Sequence, residues 1–302
     1  MWQLINTEIG NPRYKSCNIK VRNGSGIILN PQRVLEMFNS YFVETVEDLK
    51  TRNKSYNVKH SLSHSIEYNQ NNSFVLPATD CEAECIINSL KGPLAGYDEI
   101  PESSFSKLLD RLMYNRLSSF LEKYNIVTKE QLGFRNGKLN EIASQTFIEC
   151  IQEALDEQLH VVGIFLDLTK AYDVLNHHVL LDKLESYGAR GTLNLWFKSY
   201  LPHCTQFIEI TKLDHNSFTR NRYLSTPREL PYCVPQGSIM LPVLYILYIN
   251  DLPRHVQEAK MVLYADDTNI LIVDKDEVEL KLKIASLEKQ RYRFLTMNSL
   301  LI

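Results

Sequence analysis

The sequence lacks the patterns that mark several common protein classes. Its six cysteines form no Cys-x-x-Cys pair, and no pair of histidines accompanies them at the spacing of a zinc site. We therefore interpret them as core or surface thiols in a reducing compartment. The longest apolar run, around residues 239–249, is too short to span a bilayer, and no signal-peptide pattern leads the chain. We expect an intracellular protein, in the nucleus or the cytoplasm, that has no membrane partner.

A strong excess of charge of one sign is absent as well. The formal net charge is −3, so the whole-chain charge does not by itself indicate nucleic-acid binding. Residues 1–60 hold four more Lys and Arg than Asp and Glu, and we interpret this weakly basic arm as a solvated surface. With 302 residues, of which 44% are hydrophobic, the chain is long enough for one large domain or two.

Hydrophobic periodicity and turn signals predict a mixture of helices and strands without an internal repeat. The polar stretch Thr51–Ser73 lacks periodicity and is predicted to be a mobile linker. Gly188 follows a helical pattern and is predicted to end that helix. Acids lie where apolar strands end, which favours an α/β or α+β architecture. The predicted helices cover residues 34–49, 80–90, 105–124, 141–157, 177–187, 192–200 and 235–250, and a predicted strand covers 206–210.

Two neighbouring carboxylates, Asp266 and Asp267, interrupt the apolar segment Met261–Val273. Both flanks are rich in β-favouring residues, so they predict two short strands joined by a turn at the Asp pair. One interpretation is structural, because Asp stabilises turns by bonding nearby backbone groups. A functional interpretation depends on a third acid, Asp167, which ends the apolar strand Val161–Leu166.

If these strands are neighbours in one sheet, three carboxylates meet at one edge, and their mutual repulsion requires cations. Hard oxygen ligands of this kind suit Mg²⁺. Two such ions roughly 3.5–4 Å apart hold the attacking and leaving oxygens of a displacement at phosphorus. The sequence therefore predicts a site for two Mg²⁺ or Mn²⁺ ions at Asp167, Asp266 and Asp267.

Seven sequence blocks resemble, in the same order, the reverse transcriptase of non-LTR retrotransposons of the LINE type, including jockey-like elements. A Tyr-x-Asp-Asp block alone is weakly specific, whereas the ordered set extends over nearly the whole chain. The blocks are Gly96–Pro101, Gln131–Arg135, Phe165–Asp173, Trp196–Leu201, Val234–Ser238, Tyr248–Leu252 and Tyr264–Asp267.

The resemblance implies a right-hand polymerase palm of the α+β class, an antiparallel sheet backed by helices, that performs RNA-directed DNA synthesis. The catalytic, metal-binding carboxylates would be Asp167, Asp266 and Asp267, and the carbonyl of Leu168 would also face a metal. Tyr172 matches the aromatic residue that blocks a ribose 2′-hydroxyl, which implies dNTP substrates. Without the resemblance, Tyr172 at the end of an apolar strand is interpreted as a core residue.

Further residues are assigned by the same resemblance. Gln236 and Gly237 match a motif that contacts the incoming nucleotide and the template, and Arg135 is expected to contact a phosphate. The implied partners are an RNA template, a DNA primer and dNTPs, and no protein partner is implied. Asp173 is interpreted as a structural acid at a helix start.

The chain also departs from the family pattern. Only Glu102–Phe105 separate the first block from the helix near Ser106, where family members have a much longer segment. This gap and the short C-terminal end predict reduced fingers, little or no thumb, and weak dNTP binding. Leu241, like Cys233, stands where Gly is usual, and it is expected to crowd a close backbone approach. The predicted domains are an N-terminal helical arm and polar linker (1–75), reduced fingers (76–143), and a palm with a truncated C-terminal end (144–302).

Three hypotheses for function follow. The leading one is an RNA-directed DNA polymerase domain that the missing segments impair. The alternative is a non-catalytic nucleic-acid-binding remnant of a retrotransposon, which would bind RNA or DNA in a salt-sensitive manner without adding nucleotides. A third, a by-product with no role, predicts neither binding nor extension.

Overall fold

The computed structural model describes most of the chain. The chain divides into two compact units, one of residues 1–49 and 203–230 and the other of residues 50–202 and 231–302. The described residues are 21–23, 26–53, 68–73, 76–89, 102–135, 140–202, 205–213, 220–230, 232, 234, 238–256, 258–298 and 300.

The first unit combines short antiparallel strand pairs with most of one long helix. Helix α1 (Pro31–Asn53) begins with a proline, whose missing N–H is tolerated in the first turn, and Asn30 caps that turn. The buried side chain of Asn39 donates to the Thr226 carbonyl at 2.7 Å, which ties α1 to the segment between two strands. The strand pairs are β1 (Val21–Asn23) with β2 (Gly26–Ile28), β4 (Thr205–Gln206) with β7 (Arg228–Glu229), and β5 (Glu209–Leu213) with β6 (Arg220–Leu224).

The second unit contains a three-stranded antiparallel sheet and several helices. Strand β9 (Asp267–Asp274) lies at the centre, with β3 (His160–Leu166) on one side and β8 (Lys260–Tyr264) on the other. Residues 270–272 are all buried, so both faces of the sheet are covered at that point. The described helices of this unit are α2 (Asp80–Ser89), α3 (Glu102–Lys123), α4 (Asn140–Asp156), α5 (His177–Tyr187), α6 (Thr192–Tyr200), α7 (Met240–Tyr248), α8 (Leu252–His255) and α9 (Glu277–Met297).

Helix α7 forms much of the core of the second unit. Residues 243–248 are all buried, including the large side chains of Tyr245 and Tyr248. Such an apolar helix requires neighbours on every side, and α5 packs against it. The sheet is covered in turn by α4, which packs against all three strands, and by α9, which packs against β9. Despite its apolarity, neither α7 nor any other helix in the described ranges is long enough and apolar enough to cross a membrane.

Helix α5 has strong signals at both ends. At the N-terminus, the Asn176 side chain accepts hydrogen bonds from two backbone N–H groups of the first turn. At the C-terminus, Gly188 has a φ of 108° and ends the helix, as the sequence predicts. A Cβ on Gly188 would lie 2.4 Å from the carbonyl oxygen of Asn71, so packing as well as backbone conformation requires glycine there.

The prediction of a mobile linker over Thr51–Ser73 is wrong at both ends. Helix α1 continues through Asn53. Near the other end, Asn69 donates its backbone N–H to the Ser186 carbonyl at 2.9 Å, and Arg190 donates to the Asn69 carbonyl at 2.6 Å. Long-range hydrogen bonds of this kind order a polar segment without leaving any periodicity in its sequence. The middle of the stretch lies outside the described residues.

The other predicted elements are present with shifted ends. The helices predicted over 80–90, 105–124, 141–157, 177–187 and 192–200 are confirmed within three residues. The helix predicted from residue 235 begins at Met240, where Ser238 accepts the Met240 N–H, and residues 235–237 lie outside the described part. The predicted strand over 206–210 is divided between β4 and β5, because Ile208 donates its N–H to the Ser225 hydroxyl rather than to a strand.

A buried ion pair joins α5 to the chain just after α7. The Nζ atom of Lys183 is 2.5 Å from Oδ1 of Asp251 and 2.5 Å from the carbonyl oxygen of Tyr248, and both charged side chains are buried. Burial lowers the pKa of Lys183, and the Asp251 carboxylate opposes this shift. The second unit therefore neutralises this internal charge with its own residues.

Candidate active site

The sheet brings two of the three predicted acids to the same edge. Asp167 directly follows the last residue of β3, and Asp267 is the first residue of β9. Leu166 pairs with Thr268 in the antiparallel register, so the two acids lie at the same end of neighbouring strands. The predicted pairing of these strands is confirmed.

The turn between β8 and β9 carries the third acid. Tyr264 pairs with Asp267, which leaves a turn of two residues, Ala265 and Asp266. Ala265 is buried and has a φ of 57°, in the left-handed region that residues with a Cβ rarely adopt. Two-residue hairpin turns that match the twist of their strands require this conformation. The predicted hairpin is confirmed, and its tightness accounts for the unusual backbone at Ala265.

The environment of Asp267 disfavours its charged form. Burial raises the pKa of Asp267, and the negative charges of Asp266 and Asp167 raise it further. In the described part of the chain, no Lys or Arg forms an ion pair with any of the three carboxylates. The edge of the sheet therefore concentrates negative charge that these residues leave uncompensated.

Tyr172 lies beside two of these acids, Asp266 and Asp267. Its hydroxyl donates a hydrogen bond to Oδ1 of Asp266 at 3.4 Å, and its ring centroid is 4.7 Å from that of Tyr245. Burial, followed by the charge of Asp266, raises the pKa of Tyr172 to about 12, so the hydroxyl remains protonated at neutral pH. The structure thus places Tyr172 at the carboxylates rather than within the apolar core.

The chemistry of this edge fits a divalent cation. Carboxylate oxygens are the ligands that Mg²⁺ and Mn²⁺ prefer, and a cation would relieve the repulsion that raises the pKa of Asp267. The residues available to hold it are Asp167, Asp266 and Asp267, together with Leu168, which is buried directly after Asp167. Within the described ranges, no three His, Cys, Asp or Glu side chains already converge as a metal-binding cluster.

Of the remaining predicted substrate-binding residues, Arg135 is the one that the structure describes. Arg135 lines a cavity of about 350 Å³ together with Lys129 and Arg254, and its guanidinium donates to two nearby backbone carbonyls at 3.3 and 3.4 Å. These three cations give the cavity a positive lining. Gln236 and Gly237 lie outside the described residues.

Sequence reasoning does not identify two further residues at this site. The buried hydroxyl of Tyr245 has no hydrogen-bond partner among the described residues, and burial and the charge of Asp266 raise its pKa. In the sequence, Tyr245 is one of many apolar positions of α7. The side chain of Gln131 contacts the backbone of Ala265. Its sequence signal is its place at the start of the block Gln131–Arg135.

Comparison with known proteins assigns a family to most of this unit. Residues 102–298 match the family model described as reverse transcriptase (RNA-dependent DNA polymerase). The chain is 31% identical over 176 residues to the probable RNA-directed DNA polymerase from transposon BS of Drosophila melanogaster, with 56% of this chain and 18% of that protein covered. It is 28% identical over 179 residues to the RNA-directed DNA polymerase from mobile element jockey of Drosophila melanogaster, with 57% and 18% covered. The chain therefore spans less than a fifth of the length of these relatives.

Among solved structures, the chain is similar to apo telomerase from Candida tropicalis truncated from the C-terminal domain. The identity is 16% and the TM-score 0.39, over 60% of this chain and 37% of that chain.

Proposed function

Because the chain belongs to the reverse transcriptase (RNA-dependent DNA polymerase) family, we propose that its acidic sheet edge catalyses DNA synthesis on an RNA template. The observation that carries this proposal is the position of Asp167 and Asp267 at the same end of neighbouring strands, with Asp266 in the adjoining turn. Burial, followed by the charges of Asp266 and Asp167, raises the pKa of Asp267, as expected for a site whose charge a bound cation completes.

In the proposed reaction, the 3′-hydroxyl of a DNA primer attacks the α-phosphate of a dNTP and pyrophosphate leaves. Asp167 and Asp266, with Asp267 and the carbonyl of Leu168, would hold two Mg²⁺ or Mn²⁺ ions. When bound, these ions supply charge neutralisation for the attacking and leaving oxygens. Because phosphoryl transfer requires little covalent help from the protein, the contribution of these residues is to fix the positions of the reactants.

Tyr172 is proposed to exclude ribonucleotides. Its hydroxyl lies within hydrogen-bond reach of Asp266, and its ring is braced by the buried ring of Tyr245. A ring held this close to a catalytic carboxylate leaves little room for a 2′-hydroxyl on the sugar of the incoming nucleotide. Gln236 and Gly237 are proposed to contact that nucleotide and the template.

The cavity of Arg135, Lys129 and Arg254 is proposed to contact the phosphates of the RNA template or the DNA primer. Guanidinium groups suit this task because their planar N–H donors match phosphate oxygens. The positive lining of the cavity supports this assignment.

In architectural terms, the sheet of β3, β9 and β8 would be the palm of a right-hand polymerase with reduced fingers. The short connection before α3 is expected to weaken the grip on the dNTP triphosphate, because that connection holds few basic side chains. We accordingly expect polymerase activity that requires high dNTP concentrations.

Primer extension tests the proposal. The full chain, an RNA template, an annealed DNA primer, dNTPs and Mg²⁺ or Mn²⁺ are expected to yield extended DNA. Asp266→Asn preserves the size of the side chain and removes its charge, so extension should fall by at least about 100-fold. A matched control is Asp182→Asn, an exposed position on α5, which should change extension less than about twofold. Equal activity of Asp266→Asn and the wild type would contradict the mechanism.

The alternative function, nucleic-acid binding without catalysis, is favoured by one specific observation. The basic cavity is already formed, whereas the described acids do not yet converge as a metal cluster. This alternative predicts RNA binding that weakens steeply with salt, in a protein that extends no primer with either metal. Fluorescence anisotropy at several salt concentrations, combined with the extension assay, distinguishes the two functions.

A further inference from the structure

The segment between α3 and α4 lies alongside β8 and reaches the turn that carries Asp266. The backbone N–H of Leu132 donates to the Leu263 carbonyl at 2.8 Å, and the N–H of Leu263 donates to the Glu130 carbonyl at 2.9 Å. These bonds place Gln131 beside Leu263 in a short parallel bridge. The segment thus extends the sheet beyond β8, on the side away from β9.

The side chain of Gln131 is 1% exposed and binds the polar backbone groups of Ala265. Its Oε1 atom accepts the Ala265 N–H at 3.1 Å and the Gly133 N–H at 2.8 Å. Its Nε2 atom donates to the Ala265 carbonyl at 3.3 Å. A carboxamide offers an acceptor and a donor side by side at any pH. Gln131 therefore pairs with both backbone groups of the residue immediately before Asp266.

Gly133 brings the same segment into direct contact with the turn. A Cβ on Gly133 would lie 2.2 Å from the backbone nitrogen of Ala265 and 2.9 Å from its Cα atom. Any side chain at this position would displace the turn. Leu132, between Gln131 and Gly133, is buried against Val262 of β8, so the segment is also anchored to β8 between its two contacts with Ala265.

These contacts matter because the hairpin ladder provides no hydrogen-bond partners for the backbone groups of Ala265. The N–H and C=O of Ala265 lie outside the hairpin ladder, which ends at the pair Tyr264 and Asp267. Ala265 is also buried in a left-handed conformation that residues other than glycine rarely adopt. Buried backbone groups require partners, and Gln131 supplies both.

We propose that Gln131 is a positioning residue that fixes the turn of Ala265 and Asp266, so that the Asp266 carboxylate can share a divalent cation with Asp167. The proposal rests on the proposed function, because it assigns to Gln131 a role in the metal site of that function. Gln131 does not touch the reacting atoms and acts through the backbone of Ala265.

The test is Mn²⁺ binding to the full chain, measured by isothermal titration calorimetry alongside thermal unfolding. Gln131→Met preserves the length and volume of the side chain but removes all three hydrogen bonds. Removal of a group that orients a metal ligand should weaken Mn²⁺ binding by about 10-fold or more. Asp266→Asn identifies the part of the signal that belongs to the carboxylates.

A matched control separates positioning from general stability. Asn298 is a fully buried carboxamide that donates to the Phe294 carbonyl at 2.9 Å, at the end of α9. Asn298→Leu should lower the melting temperature but leave Mn²⁺ affinity within about twofold of the wild type. Equal weakening of Mn²⁺ binding in Asn298→Leu and Gln131→Met, or no weakening in Gln131→Met, would overturn the proposal.

Two further measurements decide the remaining outcomes. If Gln131→Met does not fold, Gln131→Asn retains the carboxamide but withdraws it from Ala265 by one methylene, and it should weaken Mn²⁺ binding in the same direction. If the wild type binds no Mn²⁺, the proposed function fails, and amide hydrogen exchange decides on Gln131. Exchange of the Ala265 N–H should then accelerate at least about 10-fold in either variant, whereas an unchanged rate would refute the positioning role.

Discussion

The second unit contains both a buried ion pair, in which opposite charges are in contact, and an acidic sheet edge, where three like charges lie close in the fold. Lys183 and Asp251 are both buried, yet the ammonium finds a carboxylate and a backbone carbonyl at 2.5 Å. Asp167, Asp266 and Asp267 lie at an edge of the sheet, where burial and the charges of the other two acids raise the pKa of Asp267, and they pair with no Lys or Arg of the described residues.

The difference indicates which charges are structural. A charge inside the core is tolerated only when the protein supplies its partner. Like charges at a sheet edge destabilise the folded state unless something outside the chain neutralises them. Among the described residues, the second unit pairs Lys183 with Asp251 in its interior, whereas no Lys or Arg pairs with the three carboxylates of the sheet edge.

The largest expected effect concerns the ion pair. Lys183→Met leaves the Asp251 carboxylate buried without a partner and should lower the free energy of unfolding by about 3–5 kcal/mol. Urea denaturation followed by circular dichroism measures this change. The double variant Lys183→Met with Asp251→Leu removes both charges, so it should recover a large part of the loss. A single variant as stable as the wild type would show that the pair is not the structural charge described here.

A smaller effect of opposite sign is expected at the sheet edge. Without divalent ions, Asp267→Asn removes a repelled carboxylate and should raise the melting temperature by about 1–2 °C at pH 7. The pKa of Asp267 is higher in the folded state than in the unfolded state. As the pH rises from the unfolded-state pKa through the folded-state pKa, ionisation of Asp267 therefore lowers the free energy of unfolding. The gain should therefore disappear at acidic pH, where the wild-type carboxyl is protonated as well.

Differential scanning fluorimetry from pH 3 to pH 8 measures the gain, with Asp182→Asn as the exposed control. Equal behaviour of Asp267→Asn and the control would show that the three acids do not interact as described. Addition of Mg²⁺ should reverse the order, because a bound ion stabilises the wild type and not the variant.

Local patterns predicted much of the frame that carries the site. The apolar flanks of the Asp pair predicted β8, β9 and the turn between them, and the run before Asp167 predicted β3. Gly188 predicted the end of α5 because glycine readily adopts the left-handed backbone conformation that ends a helix. Each of these signals lies within a few residues of the structure that it specifies.

Contacts between distant segments could not be predicted in this way. Gln131 reaches Ala265 across 134 positions of sequence, and Arg190 reaches Asn69 across 121. Neither glutamine in a loop nor a polar segment without periodicity carries a local sign of its partner. The family resemblance named the block of Gln131 but gave Gln131 itself no role. The positions of Gln236 and Gly237 lie outside the described residues, so their assignment stays a prediction.

The most direct test of the account is the location of Mn²⁺ in crystals of the full chain soaked in that ion. Anomalous scattering identifies the metal independently of the protein model. We predict an Mn²⁺ ion within about 2.0–2.4 Å of carboxylate oxygens from both Asp167 and Asp266. Mn²⁺ bound elsewhere, or bound at this edge without Asp167, would contradict the claim that these two acids share a cation.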